Sequence, residues 1–376
     1  MTYDNVCKIF FCNENDILVK STQVVKENAP FGKVFVLFDE HKINLLPQLN
    51  LTLHKTGNKI VFIEEDDILS STSIGYLLNA HEDVRAVFCL SPKLIAKAEY
   101  FCSLKNIPLI ALTDSFSFNN LSSILSVQNN DNIDLFWANC KKTLLISKQN
   151  FPDKKELFAF IIDCKISIFD YYARSIFSRN EFDVHSVNII LSALDNLKEQ
   201  VFKLSEQTDF NIIEELLSQI VSVDRKCGGK VFCFTPSAML SKALKKEFNF
   251  SKKLFIDLYC VKKLNKQQKK EQLPTDYNKM AENVAKVFSV DMAFAVHNLM
   301  KMVKIFSLID SVIVNKFNYA LKKLNAYLEE QLKEYITLGG KNIALTKTEK
   351  EGLELIAFNP YKINLMTIAK EITFKV

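Results

Sequence analysis

Short apolar runs set between helical stretches fill the first part of the chain. Val34-Phe35-Val36-Leu37-Phe38 follows Gly32-Lys33 and ends at Asp39-Glu40, Lys59-Ile60-Val61-Phe62-Ile63 repeats the pattern, and Val84 to Leu90, Ile107 to Leu112 and Thr143 to Ser147 continue it. Unbroken apolar runs of this length read as strands buried on both faces. Ser70 to Asn79 and Pro92 to Leu104 have helical spacing. Strand alternating with helix predicts a parallel sheet with helices on its faces. Gln149-Asn150-Phe151-Pro152 breaks the pattern, and from Pro152 onward apolar positions recur at i, i+3 and i+4. Helices are predicted over Lys154 to Phe177, Val184 to Leu204, Asn211 to Val223, Met239 to Phe248, Lys253 to Leu264, Asn283 to Ile309 and Ser311 to Ile336, with Gly339-Gly340 as a stop. The expected fold is α/β, a parallel-sheet domain over residues 1–150 and an all-helical domain over 151–376.

With 376 residues, 48% hydrophobic and 24% charged, the chain has the make-up of a two-domain globular protein. Its eight glycines fall far below the usual share of about 7%, which disfavours several glycine-rich ligand loops. Of 48 basic residues only Arg85, Arg174, Arg179 and Arg225 are arginines. Bidentate forks that read phosphate or guanine are therefore scarce. The one concentrated basic run, Lys262, Lys263, Lys266, Lys269 and Lys270, lies among Asn and Gln without aromatic interleaving, as in a solvated loop. No nucleic-acid partner is expected. Nine cysteines occur singly, and Cys89, Cys164, Cys233 and Cys260 sit inside apolar runs, which fits buried free thiols better than disulfides or zinc. Asp4 and Lys8 interrupt any signal-peptide core, and no apolar stretch of about 18 residues occurs. A cytoplasmic protein without a membrane partner is expected.

The strand–helix–strand from Asp83 to Asn119 carries the most chemistry. Its turn, Leu90-Ser91-Pro92-Lys93, stands where a nucleotide-binding unit has glycines that let backbone N–H groups approach a pyrophosphate at a helix N-terminus. Pro92 has no N–H, and Leu90 adds a side chain where phosphate would sit. Ser91 and Lys93 still offer a hydroxyl and a charge. Two readings stand, a weakened anion site and an ordinary turn with Pro92 at the first helical position.

This frame resembles the superfamily of dehydroquinate synthases and iron-containing or glycerol-type dehydrogenases, in which the region reads GGGSxxDxxK, a helix, then GIPxxxxPT. With Asn106-Ile107-Pro108 on the GIP, the glycines fall on Leu90, Ser91 and Pro92, the serine on Lys93, the aspartate on Ala96 and the lysine on Glu99. None of these motif residues is kept. Asp39 is similar to the family's acidic residue near the nucleotide ribose, although an acid after a strand is also a routine turn feature. Asp39, Ser91, Lys93 and Thr113 are the candidate cofactor-binding residues, and NAD(P) is the cofactor the resemblance implies.

Two further segments carry the likeness. Phe158 to Lys165 resembles GxAEVIKYG, with Lys165 on its lysine, Ile162 on its metal-binding glutamate and Asp163 one position off. Phe358-Asn359-Pro360-Tyr361-Lys362-Ile363 is similar to a closing NPR segment. The resemblance implies a Rossmann-like domain followed by a helical one, a divalent metal in the helical domain, and substrate in the cleft between them. The metal motif departs from the pattern, because Phe232 to Leu244 stands where relatives read NLGHTFGHAIE or EHLFSHAL, and Lys242 falls on the second histidine. His41, His54, His81, His185 and His297 have neither HxxxH nor HxxH spacing. His297, on an apolar helix, reads as a hydrogen-bonded core or interface residue, and spacing does not decide whether Asp163, His185 and His297 converge. No GxSxG, Cys–His or Walker turn occurs.

The metal site is therefore expected to be lost, with Lys165 and Lys242 as candidate catalytic cations in its place. One functional reading is a diverged paralogue without metal-dependent redox or cyclase chemistry. It would bind a small anionic ligand in the cleft between the domains or a protein partner, and the apolar excess from Asn283 to Ile336 permits a homodimer. The other is an active NAD(P)-dependent polyol-phosphate dehydrogenase or a sugar-phosphate cyclase of the 3-dehydroquinate synthase type. An unrelated α/β enzyme survives only if the sheet order differs.

Overall fold

A computed structural model describes residues 7–28, 31–64, 76, 83–113, 116, 124–129, 132–138, 140–204, 210–232, 234–244, 246–266, 277–288, 290–357 and 363–372. The predicted helix Ser70 to Asn79, apart from Tyr76, and the segment Phe358 to Lys362 lie outside them. The chain divides into two compact units, residues 1–152 with 192–229, and residues 153–191 with 230–376.

The first unit is built on a sheet of β1 (Cys7–Cys12), β2 (Gly32–Phe38), β3 (Asn58–Glu64), β4 (Val84–Cys89), β5 (Leu109–Thr113) and β8 (Lys142–Ser147). Its order is β1-β8-β5-β4-β2-β3 and every pairing is parallel. A separate antiparallel hairpin joins β6 (Ile124–Asn129) to β7 (Asn132–Trp137). Val34, Val36, Phe38, Ala86, Phe88, Ile110, Leu112 and Leu145 of the sheet pack with Val24 and Val25 of α1 (Glu14–Asn28) and Leu49 and Leu53 of α2 (Leu46–His54). Helix α3 (Ile95–Lys105) follows a short 3₁₀ turn at Pro92–Leu94 and ends at Asn106, whose left-handed φ of 54° suits an asparagine cap.

Helix α6 (Phe210–Lys226) belongs to this unit because it completes the sheet edge. An edge strand leaves every second N–H unpaired. On β1 those donors meet α6 side chains set one turn apart: Cys7 N donates to Ser222 Oγ at 2.9 Å, Ile9 N to Ser218 Oγ at 2.9 Å and Phe11 N to Glu214 Oε1 at 2.5 Å.

The second unit is helical around α4 (Lys154–Ser178), which Asp153 caps by accepting from Glu156 N at 2.9 Å. Nearly the whole of α4 is buried, packed against α8 (Phe250–Lys266) and α11 (Ser311–Thr337). The other elements are α5 (Val184–Lys203), which runs across the division between the units, α7 (Pro236–Ala243), α9 (Tyr277–Phe288), α10 (Met292–Ser307), α12 (Lys347–Ile356) and α13 (Leu365–Ile372). Two expectations are corrected. The helix expected over Met239 to Phe248 starts at Pro236, behind the cap Thr235, and stops at Ala243. The helix expected from Asn283 to Ile309 is two, because Asp291 accepts from Ala293 N and Phe294 N at 2.8 and 3.1 Å and starts a new helix. Gly339, at φ +86°, ends α11 as expected. No single described helix is long and apolar enough to cross a membrane, and each described cysteine is a free thiol.

Candidate functional site

In an open parallel sheet, ligands bind beyond the carboxyl ends of the strands where the order reverses. Here the chain leaves β2 toward β3 on one side, while β4 lies on the other. Asp39 follows β2, Ser91 to Lys93 follow β4, and Thr113 ends β5. Topology thus aligns all four candidate cofactor-binding residues along one sheet end.

Their side chains differ in availability. Asp39 is buried and accepts from His41 N at 3.1 Å, capping the 3₁₀ turn Glu40–Leu45. Thr113 is buried and Lys93 is exposed. Ser91 is fully buried, and its hydroxyl has no hydrogen-bond partner among the described residues. Ser91 O accepts from Leu94 N at 3.0 Å, and Cys89 Sγ donates to it at 3.2 Å. Leu90 corrects an expectation: its N donates to Leu37 O at 2.8 Å, and its side chain joins the sheet core rather than the space beyond the strand. Without glycines, and with Pro92 in place of a donor, this turn does not fit a pyrophosphate cradle. One hydroxyl and one ammonium remain.

The opposite end of the sheet holds an ion triad. Glu99 of α3 accepts from Lys142 Nζ, at the start of β8, at 2.5 Å, and pairs with Arg225 Nη1 of α6 at 2.7 Å. All three side chains are at most 1% exposed, and Arg225 Nη2 donates to Cys140 O at 3.0 Å. Burial opposes the charge on Arg225, but the Glu99 carboxylate together with the neighbouring Cys7 and Cys140 outweighs it and raises the guanidinium pKa. The triad ties α3, β8 and α6 together at the amino ends of the strands.

In the helical unit, α4, α7 and α8 enclose a second buried cluster. Asp163 of α4 and Asp257 of α8 are near enough to perturb each other's ionisation, and the Lys253 side chain acts on Asp163 and is acted on by both. Asp257 also receives Ser237 N at 2.7 Å and Ser237 Oγ at 2.8 Å, so the start of α7 is occupied by the protein's own carboxylate. Burial pushes Asp163 up to about 6, against the pull of its hydrogen bond to Asp257 and of Lys253. Burial, then the neighbouring Asp163, raises Asp257. Burial brings Lys253 down to about 8, against the attraction of Asp163, Glu247 and Asp257 and with the repulsion of Lys242.

Of the two candidate catalytic lysines, Lys242 is buried and acts on this cluster, whereas Lys165 is half-buried with Nζ 4.9 Å from the centre of the Tyr327 ring. His185 and His297 are exposed, which excludes the core reading of His297 and leaves the interface one, and the groups acting on Asp163 are Asp257 and Lys253. Lys253 and Asp257 were not singled out in the sequence. Their signal was a charged pair at i and i+4 flanked by Phe250, Leu254, Phe255, Ile256 and Leu258. Among the described residues no group of three His, Cys, Asp or Glu side chains is placed to hold a metal, and the two carboxyls share their space with ammonium groups. This donor set does not fit a divalent cation.

No protein-family model matches the chain, and no curated protein matches it by sequence. Solved structures do. The NADH-dependent butanol dehydrogenase A of Thermotoga maritima is similar with a TM-score of 0.50 and 12% identity, over 99% of this chain and 91% of that one. The glycerol dehydrogenase of Schizosaccharomyces pombe is similar with a TM-score of 0.49 and 15% identity, over 91% of this chain and 94% of that one. At such identities the likeness concerns the fold alone, and the chain shares with the butanol dehydrogenase a fold that has a parallel α/β part and a large helical part.

Proposed function

We propose that this protein is a diverged relative of the iron-containing dehydrogenases that has given up metal-dependent chemistry and acts as a ligand-binding or interaction paralogue. The carrying observation is the donor set around the buried Asp163 and Asp257: Asp257 is taken up by Ser237 N at 2.7 Å and Ser237 Oγ at 2.8 Å, the buried Lys242 and Lys253 lie in the same helical unit, and among the described residues no three His, Cys, Asp or Glu side chains are placed to hold a metal. The sheet end supports the same reading, because Pro92 and the absent glycines leave no N–H cradle for a pyrophosphate. A small anion held by the Ser91 hydroxyl and the Lys93 ammonium is the ligand this turn suits.

The test is calorimetric titration of the purified protein with NAD⁺ and NADP⁺, with and without zinc or iron, beside elemental analysis of the protein as isolated. Neither saturable nucleotide binding nor stoichiometric metal is expected. A saturable isotherm with one metal per chain overturns the proposal.

A second reading, an active NAD(P)-dependent enzyme, is favoured by one observation, the unpartnered buried hydroxyl of Ser91 at the reversal of strand order. It requires nucleotide binding that Ser91→Ala weakens.

A further inference from the structure

At the carboxyl end of β1 lies a cavity of about 450 Å³ whose lining comes entirely from the first unit. Phe10 and Phe11 of β1 meet there with Lys20 of α1, with Lys148 of the 3₁₀ turn that follows β8, and with Phe210 at the start of α6. Small-molecule sites occupy about 300–1,000 Å³. The wall is aromatic and fixed: Phe116, Phe11, Phe151 and Phe210 form a row of edge-to-face contacts, with ring centres 6.0, 4.8 and 4.8 Å apart. Of the charges, the acids are already used. Glu214, 9% exposed, accepts from Phe11 N at 2.5 Å, and Asp16 accepts from Asn13 Nδ2 at 3.1 Å. The cations are not. Lys20 Nζ lies 4.2 Å from the centre of the Phe10 ring and Lys148 Nζ 5.2 Å from that of Phe210, and neither is in an ion pair with a described residue. An ammonium over a ring gains less than one in a charge-assisted hydrogen bond, so an oxyanion displaces the ring as its partner.

We propose that this cavity binds a small aromatic dianion, an arene carrying two carboxylates or a phosphate, with its ring against the phenylalanine wall and its acid groups held by Lys20 and Lys148. Two unspent positive charges match two negative ones, and the wall supplies the apolar contact that selects a ring over a bare anion. The carboxylates of Glu214 and Asp16 repel the acid groups, so the two lysines decide which way round the ligand lies. The site is separate from the turn that holds Ser91 and Lys93, because β8 and β5 stand between β1 and β4 in the sheet.

The experiment is calorimetric titration of the full chain at neutral pH with phthalate, beside succinate, which has the two charges without the ring, and phenol, which has the ring without the charges. The wild type is expected to bind one phthalate per chain, about tenfold or more tightly than either fragment. Lys20→Gln and Lys148→Gln should each weaken phthalate about tenfold and leave the circular dichroism spectrum unchanged. Lys26→Gln, at an exposed position on α1 outside the cavity, should bind like the wild type. Absence of saturable binding at millimolar phthalate overturns the inference, as does succinate binding as tightly as phthalate or full affinity in either folded lysine variant. If one of those variants does not fold, the other decides. Phthalate binding that Ser91→Ala removes and both lysine variants keep belongs to the turn after β4 and likewise overturns the inference.

Discussion

Glu99→Gln is the sharpest test of the sheet unit. The substitution keeps the shape of the side chain and removes the only charge it carries, leaving Lys142 and Arg225 as cations at most 1% exposed. At an effective dielectric near 20, each contact of about 2.6 Å is worth on the order of 6 kcal/mol of attraction before desolvation. Desolvation cancels much of this, and removing one member of a buried ion group costs about 3–5 kcal/mol. Set against a total stability of about 5–15 kcal/mol, this is a large fraction. Urea unfolding followed by circular dichroism should give a midpoint far below the wild type. Adding Lys142→Met should recover part of the loss, because one uncompensated cation then remains instead of two. Glu199→Gln, which removes an exposed i,i+4 partner of Lys203, is the control and should change stability by no more than about 0.5 kcal/mol. If Glu99→Gln falls within that same margin, the triad does not hold α6 and α3 to the sheet as argued.

Other predictions follow from the same contacts. Ser218→Ala leaves the Ile9 N–H of β1 without its acceptor, which should cost about 1–3 kcal/mol and speed hydrogen exchange at Ile9. The pH dependence of stability should be inverted at Asp163. Its pKa is 3.8 ordinarily and about 6 here, so the native state holds more protons than the unfolded one between those values and stability falls as pH rises through them. Lys253, at 10.5 ordinarily and about 8 here, holds fewer protons in the native state, so its contribution rises with pH from about 8 upward. Asp163→Asn should reduce the fall between about pH 4 and 6 in denaturant titrations without removing the share that the buried Asp257 carries, and a profile unchanged by that substitution would refute the assignment.

The strands β2, β4, β5 and β8 were legible because a parallel strand buried on both faces reads as an apolar run, and the half-buried edge strand β3 carries the same kind of run in Ile60-Val61-Phe62-Ile63. Strand β1 was not: Cys7-Lys8-Ile9-Phe10-Phe11-Cys12 carries a lysine, and what completes its edge is a helix more than 200 residues further on. The break before α10 had a local signal, an aspartate ahead of an apolar run, but the apolar period continued across it. The two ion clusters were opaque for a different reason. Glu99, Lys142 and Arg225 come from three elements with no fixed spacing, and in isolation each reads as a surface charge. The position that corresponds to a lysine in the resembled motif thus bears a glutamate turned inward to two cations. Charges that read singly as surface groups are here turned on each other.

That distinction makes Ser91 informative, because it is the candidate residue whose polar atom the fold does not use. A buried hydroxyl without a partner costs about 1–3 kcal/mol, and Ser91 is 0% exposed with no acceptor or donor at Oγ among the described residues. If the hydroxyl is kept for a ligand, Ser91→Ala should stabilise the free protein by about 1 kcal/mol and weaken binding of that ligand. Inorganic phosphate is the simplest probe, read by the shift of the unfolding midpoint with phosphate concentration. The wild type should be stabilised by phosphate and the variant should not, so their midpoints should approach each other and then cross as phosphate is added. A variant less stable than the wild type without phosphate would mean that Ser91 is part of the fold's own bonding. Its position at the carboxyl ends of β2 and β4 would then mark a vestige of architecture rather than a binding site.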